Sequence, residues 1–334
     1  MATNLDATPS REHLFHALSE AAELEHCLMC TYLYAAFSLK TDAGDGLSPA
    51  QLDAVRRWRA TILDIATEEM GHLVAVWNIT AALGGAPRLG RSNFPLDPGY
   101  LPAGIVVRLA PFDADTLQHF IHLESPTGSN EPDSPAFAPE RTYQRGADGP
   151  RLTPMAMDYA TVGTFYEILG NGLSRFVAEH GEQIAFCGDP ALQLSSADSG
   201  LNGVEKVICL KTVLAAFAAI VTQGEGASQH SEGSHYHRFA QIRGEYAALL
   251  EQDPTFTPAF PAATNPVLRR PPRPEGRVWI EDVRAIATVD LANSVYGLML
   301  RLLAYTYAVP AENPDKALAL DLATGLMHAL APLA

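Results

Sequence analysis

An acid and a histidine in the second predicted helix have the spacing of a metal-binding pair. Glu69 and His72 are three residues apart, so on an α-helix they project from one face, one turn apart. That face continues an apolar stripe formed by Ile62, Ile65, Val76 and Leu83. A buried carboxylate is costly unless it is paired or bound to a metal. The inward Glu-x-x-His pair therefore indicates a di-metal site in a helical bundle, with Glu68 on the polar side of the helix.

A second acid lies on the apolar face of the first predicted helix. Glu25 lines up with Leu28 and Tyr32 at the helical period. Taken alone, such an acid could reach solvent at the end of a bundle or pair with a buried base. Together with Glu69 and His72 on the next helix, it predicts a second carboxylate ligand.

The second half of the chain contains a looser version of the same pair. Glu225 continues an apolar stripe formed by Val207, Leu214, Ala218 and Val221. Residues 226–234 interrupt this helical pattern, and His235 follows the interruption. Because Glu225 has the buried register, we prefer Glu225 with His235 as the ligand pair. The alternatives within the interrupting segment are Glu232 and His230.

Two acids compete for one more carboxylate position in the third long helical pattern. Its apolar side consists of Tyr159, Val162, Tyr166, Leu169, Leu173 and Phe176. Glu167 lies about 100° from the centre of that stripe, and its lateral neighbours Gly163 and Gly170 would let another helix approach. The spacing to the aromatic residues favours Glu167, and Asp158 remains the alternative because its angle is no worse.

These ligand types define the expected chemistry. Carboxylate and imidazole ligands suit iron and manganese, so we expect two metal ions, with iron first and manganese second. Two metals held by shared carboxylates can bind and reduce dioxygen or peroxide. Cys27 and Cys30 lie within an apolar helical segment, which favours core packing over thiolate ligation. The side chains expected to support the ligands are Glu68, Tyr32, Tyr166 and Tyr236.

Long helical patterns must position these side chains. They cover residues 10–40, 48–85, 154–182, 201–225, 234–251, 281–307 and 314–330, with a short helix at 113–123 and a strand-like run at 105–109. A helix pair (10–85), a long connection (86–153), a second pair with a following helix (154–252) and further helices (275–334) succeed one another. One long crossover between helices 2 and 3 is typical of a ferritin-like four-helix bundle. We therefore predict one all-α domain over residues 1–334, with additional C-terminal helices.

Composition narrows the choice of partners. The chain has 334 residues, 47% of them hydrophobic and 18% charged, which is a globular composition. Its formal net charge of −15 argues against nucleic acid and against anionic membranes. The polar N-terminus and the absence of a long uninterrupted apolar run predict a cytoplasmic protein. The C-terminal helices carry enough apolar surface to pack on the bundle or to form a homodimer interface.

Several motifs resemble one family. They are Leu24-Glu25-His26, Glu68-Glu69-Met70-Gly71-His72-Leu73, Leu83-Gly84-Gly85-Ala86-Pro87, Gly163-Thr164-Phe165-Tyr166-Glu167, Gln223-Gly224-Glu225-Gly226 and Ser234-His235-Tyr236. This set resembles the ferritin-like domain of iminophenylpyruvate dimer synthase-type proteins, over roughly residues 12–307. The resemblance implies a metal-binding four-helix bundle with Glu25, Glu69, His72, Glu167, Glu225 and His235 as ligands. It also implies oxidative coupling of an aryl imino acid.

The expected function follows from the site and the resemblance. We expect a di-metal oxidoreductase that uses dioxygen or peroxide on a small aromatic or amino-acid-derived metabolite, as in secondary metabolism. A manganese-catalase-like peroxide dismutase is the nearest alternative enzyme. A non-catalytic metal-binding or storage bundle is the alternative outside catalysis, although storage bundles are short chains that assemble into shells.

Overall fold

The predicted all-α class is confirmed by a computed structural model, which describes residues 8–90, 94–96, 106–138, 159, 161–224, 233–270 and 275–333. The helices of these residues are α1 Arg11–Ser38, α2 Pro49–Ala82, α3 Ala114–Leu123, α4 Val162–His180, α5 Glu182–Ala185, α6 Ser196–Ser199, α7 Leu210–Gly224, α8 His235–Gln252, α9 Val283–Thr306 and α10 Pro314–Leu330. Two short strands, β1 Pro266–Val267 and β2 Val278–Trp279, pair in parallel.

The first two helices are continuous and begin at clear capping residues. The Ser10 side chain accepts from the backbone N–H of His13 at the start of α1. Ser48 and Gln51 form a reciprocal capping box at the start of α2, with Pro49 in the first turn. The two helices pack against each other along their length, which gives the first half of the bundle two uninterrupted walls.

Two pairs of shorter helices complete the bundle. Helix α3 packs on α8, and α4 packs on α7. The middle of α1 faces α4, where Tyr166 reaches Glu25. Two turns later, Tyr32 of α1 packs on Phe120 of α3 and Phe239 of α8. We infer that α3 and α4 together occupy the third position of the bundle, and that α7 and α8 together occupy the fourth.

The details of three predicted segments differ from the structure. Helix α3 lies in the segment predicted as the crossover, and it packs on the bundle helix α8. The predicted strand-like run at 105–109 forms no strand within its described residues, 106–109. The helix predicted from residue 154 begins at Val162 in the described part of the chain.

The helix predicted from residue 201 begins at Leu210. Asn78 of α2 donates to the carbonyls of Leu194 and Glu205, which holds the preceding segment in an irregular path. Gly203 makes a turn there with φ of +77°. The buried residues of α7 are Val213, Phe217, Ile220 and Gly224. The stripe used to align Glu225 is therefore not the buried face, and its member Leu214 is exposed.

The C-terminal helices α9 and α10 pack on each other and contact the bundle. Tyr307, just after α9, donates to the Asn78 side chain of α2 at 3.1 Å. Lys316 of α10 donates to the carbonyls of Ala191 and Leu192, each at 3.0 Å. These contacts attach the hairpin at one end of α2.

Helix α9 is also long and apolar enough to cross a membrane by length and composition alone. Only 17% of the most apolar 18-residue stretch of this helix is buried. A single helix of this kind is weak evidence for a membrane span. The expectation of no membrane partner therefore stays a prediction.

Candidate metal centre

Helices α1 and α2 bring together the first group of buried ligand-type side chains. Glu25, Glu69 and His72 are each 5% exposed or less. The Nδ1 atom of His72 lies 3.0 Å from Oε2 of Glu69 and 3.4 Å from Oε2 of Glu25. One oxygen or nitrogen from each of the three side chains lies within 4.8 Å of the others. This spacing is compact enough for one metal ion.

A second group forms where the shorter helices meet. Glu124 is the C-cap of α3, and His235 is the first residue of α8, capped by Ser234. The Nδ1 atom of His235 lies 2.8 Å from Oε1 of Glu69 and 3.5 Å from Oε1 of Glu124. The three ligand atoms of Glu69, Glu124 and His235 again lie within 4.8 Å of one another.

Glu69 belongs to both groups. Its Oε1 atom faces His235, and its Oε2 atom faces His72. The two imidazole rings lie 5.6 Å apart between centroids, with an interplanar angle of 28°. A carboxylate placed between two histidines in this way can bridge two metal ions, so the arrangement fits a di-metal site.

Glu25 and Glu124, the two glutamates that belong to only one group each, are held by buried tyrosines. We call them the terminal glutamates. The hydroxyl of Tyr166 donates to Oε1 of Glu25, and the hydroxyl of Tyr32 donates to Oε1 of Glu124. Burial, together with the nearby carboxylates, raises the pKa of both tyrosines well above the usual value. The phenols therefore stay protonated and act as hydrogen-bond donors that fix the carboxylate orientation.

The outer nitrogen of each histidine also has a side-chain partner. The Nε2 atom of His72 lies 2.8 Å from Oε1 of Gln223, at the end of α7. The Nε2 atom of His235 lies 2.8 Å from Oε2 of Glu68, which also accepts from Arg238. These acceptors place the Nε2 proton outward and leave both Nδ1 atoms facing the carboxylates.

The buried charges perturb one another strongly without metal. Burial raises the pKa of Glu25 to about 8, although His72 opposes this shift. Burial also favours a neutral Glu69, but His72 and His235 outweigh it and hold the pKa of Glu69 well below the usual value. Burial lowers the pKa of His72, but Glu69 and Glu25 outweigh it and raise that pKa to about 10. Such a dense set of mutually dependent charges is typical of a functional site.

The donor set fits a pair of iron or manganese ions. The Nδ1 atom of His235 is buried and makes no hydrogen bond of acceptable geometry with any described residue, despite its close approach to Glu69. An imidazole nitrogen aimed between two carboxylates without a hydrogen bond is placed as a metal ligand would be. Carboxylate oxygens with imidazole nitrogens, and no thiolate in either group, suit iron and manganese.

Comparison with known proteins agrees with the fold. The profile of the ferritin-like family matches residues 18–244, a range that includes all five buried ligand-type residues. This chain belongs to the ferritin-like family. A crystal structure of a ferritin-like protein from Caulobacter vibrioides has a TM-score of 0.57 and 18% identity, covering 98% of this chain and 97% of that one. The predicted family resemblance is therefore confirmed.

Two curated relatives of this ferritin-like chain are named as enzymes. The 2-imino-3-(indol-3-yl)propanoate dimerase of Chromobacterium violaceum is 31% identical over 96% of this chain. The dichlorochromopyrrolate synthase of Lentzea aerocolonigenes is 27% identical over 97% of this chain. The chain spans about a third of the length of these two relatives, 32% and 34% respectively.

Four of the six predicted ligands of the ferritin-like site lie together in the structure. They are Glu25, Glu69, His72 and His235. Glu225 lies outside the described residues, as do its alternatives Glu232 and His230 and the alternative Asp158. Gly224, directly before Glu225, packs on the site: a Cβ atom there would lie 3.1 Å from Oε2 of Glu124. Glu225 as a ligand stays a prediction.

Glu167 is not in the cluster, contrary to the prediction. It lies on the exposed face of α4. Consecutive helical residues point about 100° apart, so an inward Tyr166 turns Glu167 outward. Tyr236, predicted as a supporting group, is displaced for the same reason, because His235 is the inward residue at the start of α8. The Tyr236 hydroxyl instead lies 3.4 Å from Oε2 of Glu131.

Glu124 is the ligand-type residue that sequence reasoning missed. It lies in the segment predicted as the crossover, outside the predicted bundle helices. Leu117, Phe120 and Ile121 are buried on α3, and Glu124 follows them at helical spacing. An acid at the end of an apolar stripe was the available signal.

Proposed function

We propose that this chain is a ferritin-like, di-metal oxidoreductase domain that uses dioxygen or peroxide to oxidise a small aromatic imino acid or a related metabolite. The observation that carries the proposal is the shared Glu69, whose two oxygens face two buried histidines. Iron is the expected metal and manganese the alternative, because both accept this donor set.

The proposed substrate class comes from the relatives. One of them is named as a dimerase of 2-imino-3-(indol-3-yl)propanoate, an indole-bearing imino acid. The other is named as a synthase of dichlorochromopyrrolate. Because the chain spans about a third of their length, we assign only the ferritin-like oxidative step to it and leave the remainder of those activities to the relatives.

The residues would divide the work as follows. Glu25, Glu69 and His72 would hold one metal, and Glu69, Glu124 and His235 the other. When bound, two such metals would pass electrons from the substrate to dioxygen or peroxide. The Tyr166 and Tyr32 hydroxyls keep Glu25 and Glu124 oriented.

Burial of all five ligand-type side chains excludes bulk water from the reacting centre. Gln223 and Glu68 fix the histidine rings with Nδ1 inward. The protein therefore positions the reacting groups and excludes water from them. The substrate, which is oxidised, supplies the electrons that reduce dioxygen or peroxide.

Metal analysis of the natively purified protein tests the proposal first. We expect about two iron or manganese ions per chain, lost in the Glu69→Ala/His72→Ala variant. Asp64→Ala is the control, because Asp64 is an exposed acid on the same helix. A folded wild-type protein that stays metal-free after reconstitution with iron(II) or manganese(II) would contradict the proposal.

Activity assays then separate the two enzyme hypotheses. The imine of indole-3-pyruvate can be generated in place by an amino-acid oxidase, which itself consumes oxygen and releases peroxide. The iron-loaded protein should consume oxygen or peroxide beyond the level measured with that oxidase alone. Rapid release of oxygen from hydrogen peroxide without an organic substrate would favour the catalase-like alternative. Metal uptake without either activity would favour a metal-binding bundle.

A further inference from the structure

The two halves of the site match closely within the described residues. Each half has a terminal glutamate, a buried tyrosine that donates to it, and a histidine whose Nδ1 atom faces the shared Glu69. The first half contains Glu25, Tyr166 and His72, and the second contains Glu124, Tyr32 and His235. Among the described residues, the two halves therefore differ in what surrounds these groups rather than in the groups themselves.

The clearest difference between the halves is the group that accepts the Nε2 proton of each histidine. His72 donates its Nε2 proton to the neutral amide oxygen of Gln223 at 2.8 Å. His235 donates its Nε2 proton to the carboxylate of Glu68, also at 2.8 Å. Arg238 binds the same Glu68 oxygen, and Glu68 is half-buried. One histidine is thus backed by an amide and the other by an anion.

An anionic acceptor strengthens a histidine ligand more than an amide does. When Nε2–H donates to a carboxylate, the ring gains electron density and its Nδ1 lone pair becomes a stronger metal donor. Removing such an outer partner typically weakens metal binding about 10- to 100-fold.

We propose that the two halves bind metal with unequal affinity, and that the half containing His235 fills first because Glu68 supports it, while Gln223 leaves the half containing His72 weaker. The proposal rests on the proposed function, since it requires a two-metal site. It adds a role for Glu68 and Gln223 as positioning residues that set the order of filling.

Titration of the metal-free protein with manganese(II) alone tests the order. Calorimetry gives the affinities, and electron paramagnetic resonance counts the free ion. We expect two steps in the wild type, the first about 10-fold tighter or more. His72→Ala should keep the tighter step, and His235→Ala should keep the weaker one.

Exchanging the outer partners sharpens the test. Glu68→Gln should weaken the tight step about 10-fold, and Gln223→Glu should tighten the weak step. When Glu68→Gln and Gln223→Glu are combined, the order of metal affinities should invert. In that background His235→Ala, rather than His72→Ala, should keep the tighter binding step. A purely structural role of the two residues would not produce this inversion. Glu245→Gln is the matched control, since Glu245 bonds Arg57 of α2 at 3.0 Å at a solvent-exposed position.

The outcomes separate this inference from the function on which it rests. Two equal steps in the wild type, or an unchanged tight step in Glu68→Gln, would overturn the unequal halves while leaving a di-metal site intact. A folded wild type that binds no manganese or iron would overturn the di-metal function itself. Circular dichroism monitors folding, and Gln223→Glu alone carries the test if Glu68→Gln does not fold.

Discussion

The two sides of the bundle place their ligand-type residues in different ways. Helices α1 and α2 are continuous, and Glu25, Glu69 and His72 lie within them. On the other side, Glu124 caps the end of α3 and His235 begins α8. A residue within a helix inherits its direction from helical periodicity, whereas a residue at a helix end depends on caps, neighbouring turns and packing. The second side should therefore be the more sensitive to small changes in backbone.

The largest effect should come from the residue that both sides share. Glu69→Gln keeps the shape of the side chain but removes the charge between the two histidines. We expect metal content to fall from about two ions per chain to near zero, because both groups lose a ligand. Plasma mass spectrometry of the reconstituted protein measures this loss.

The single-side variants provide the comparison for that result. Glu25→Gln and Glu124→Gln should each lose about one metal ion and keep the other. If Glu69→Gln retained one full equivalent, Glu69 would not bridge the halves and the site would have to be described as two separate centres.

A smaller effect is expected from Gly224, which packs on the second side. A Cβ atom there would come within 3.1 Å of Oε2 of Glu124, so Gly224→Ala should displace that carboxylate by a few tenths of an ångström. We expect one of the two metal affinities to fall by about 10-fold, measured by titration with manganese(II).

Gly244→Ala is the control for this substitution. Gly244 lies in α8, and an added Cβ atom meets nothing within 4 Å. That change should raise stability by about 0.5–1 kcal/mol without affecting metal binding. Equal metal affinities in both alanine variants would show that Gly224 does not constrain the site.

A subtler comparison removes one helix cap from each side. Ser234 caps α8 directly before His235, and Ser10 caps α1 four turns before Glu25. Each serine-to-alanine change should cost about 1 kcal/mol of stability, measured by denaturant unfolding of the metal-free protein. Only Ser234→Ala should also weaken metal binding, since it loosens the helix end that holds His235. Weaker binding in Ser10→Ala of the same size would contradict the proposed difference between the sides.

The smallest effect is expected at Glu167. The family resemblance implied that this acid is a ligand, but its side chain is exposed on α4. Glu167→Gln should leave metal content unchanged and alter stability by less than about 0.5 kcal/mol. Loss of one metal ion in this variant would restore Glu167 to the site and remove the reason for assigning its place to Glu124.

Periodicity by itself predicted much of the first side. Glu25, Glu69 and His72 could be identified because uninterrupted apolar stripes define the inward face over many turns. The helical pattern from residue 234 also predicted α8, with His235 near its start. Periodicity placed Val207 in the same helix as Glu225, but residues 201–209 precede α7, and the buried face of α7 contains Val213, Phe217 and Ile220. Asn78 donates to the Glu205 carbonyl in that preceding segment, a contact that local sequence does not reveal.

The sequence therefore determined the fold class, the ligand-type side chains to expect and the candidate ligands that lie within continuous helices. Only the tertiary structure decided that α3 enters the bundle, that Glu124 rather than Glu167 joins the site, and that Glu68 and Gln223 stand behind the two histidines. The physical reason is that helical period propagates direction only within a helix. Where a helix is interrupted, the positions of its two parts are set by contacts between residues far apart in the chain, and those contacts exist only after folding.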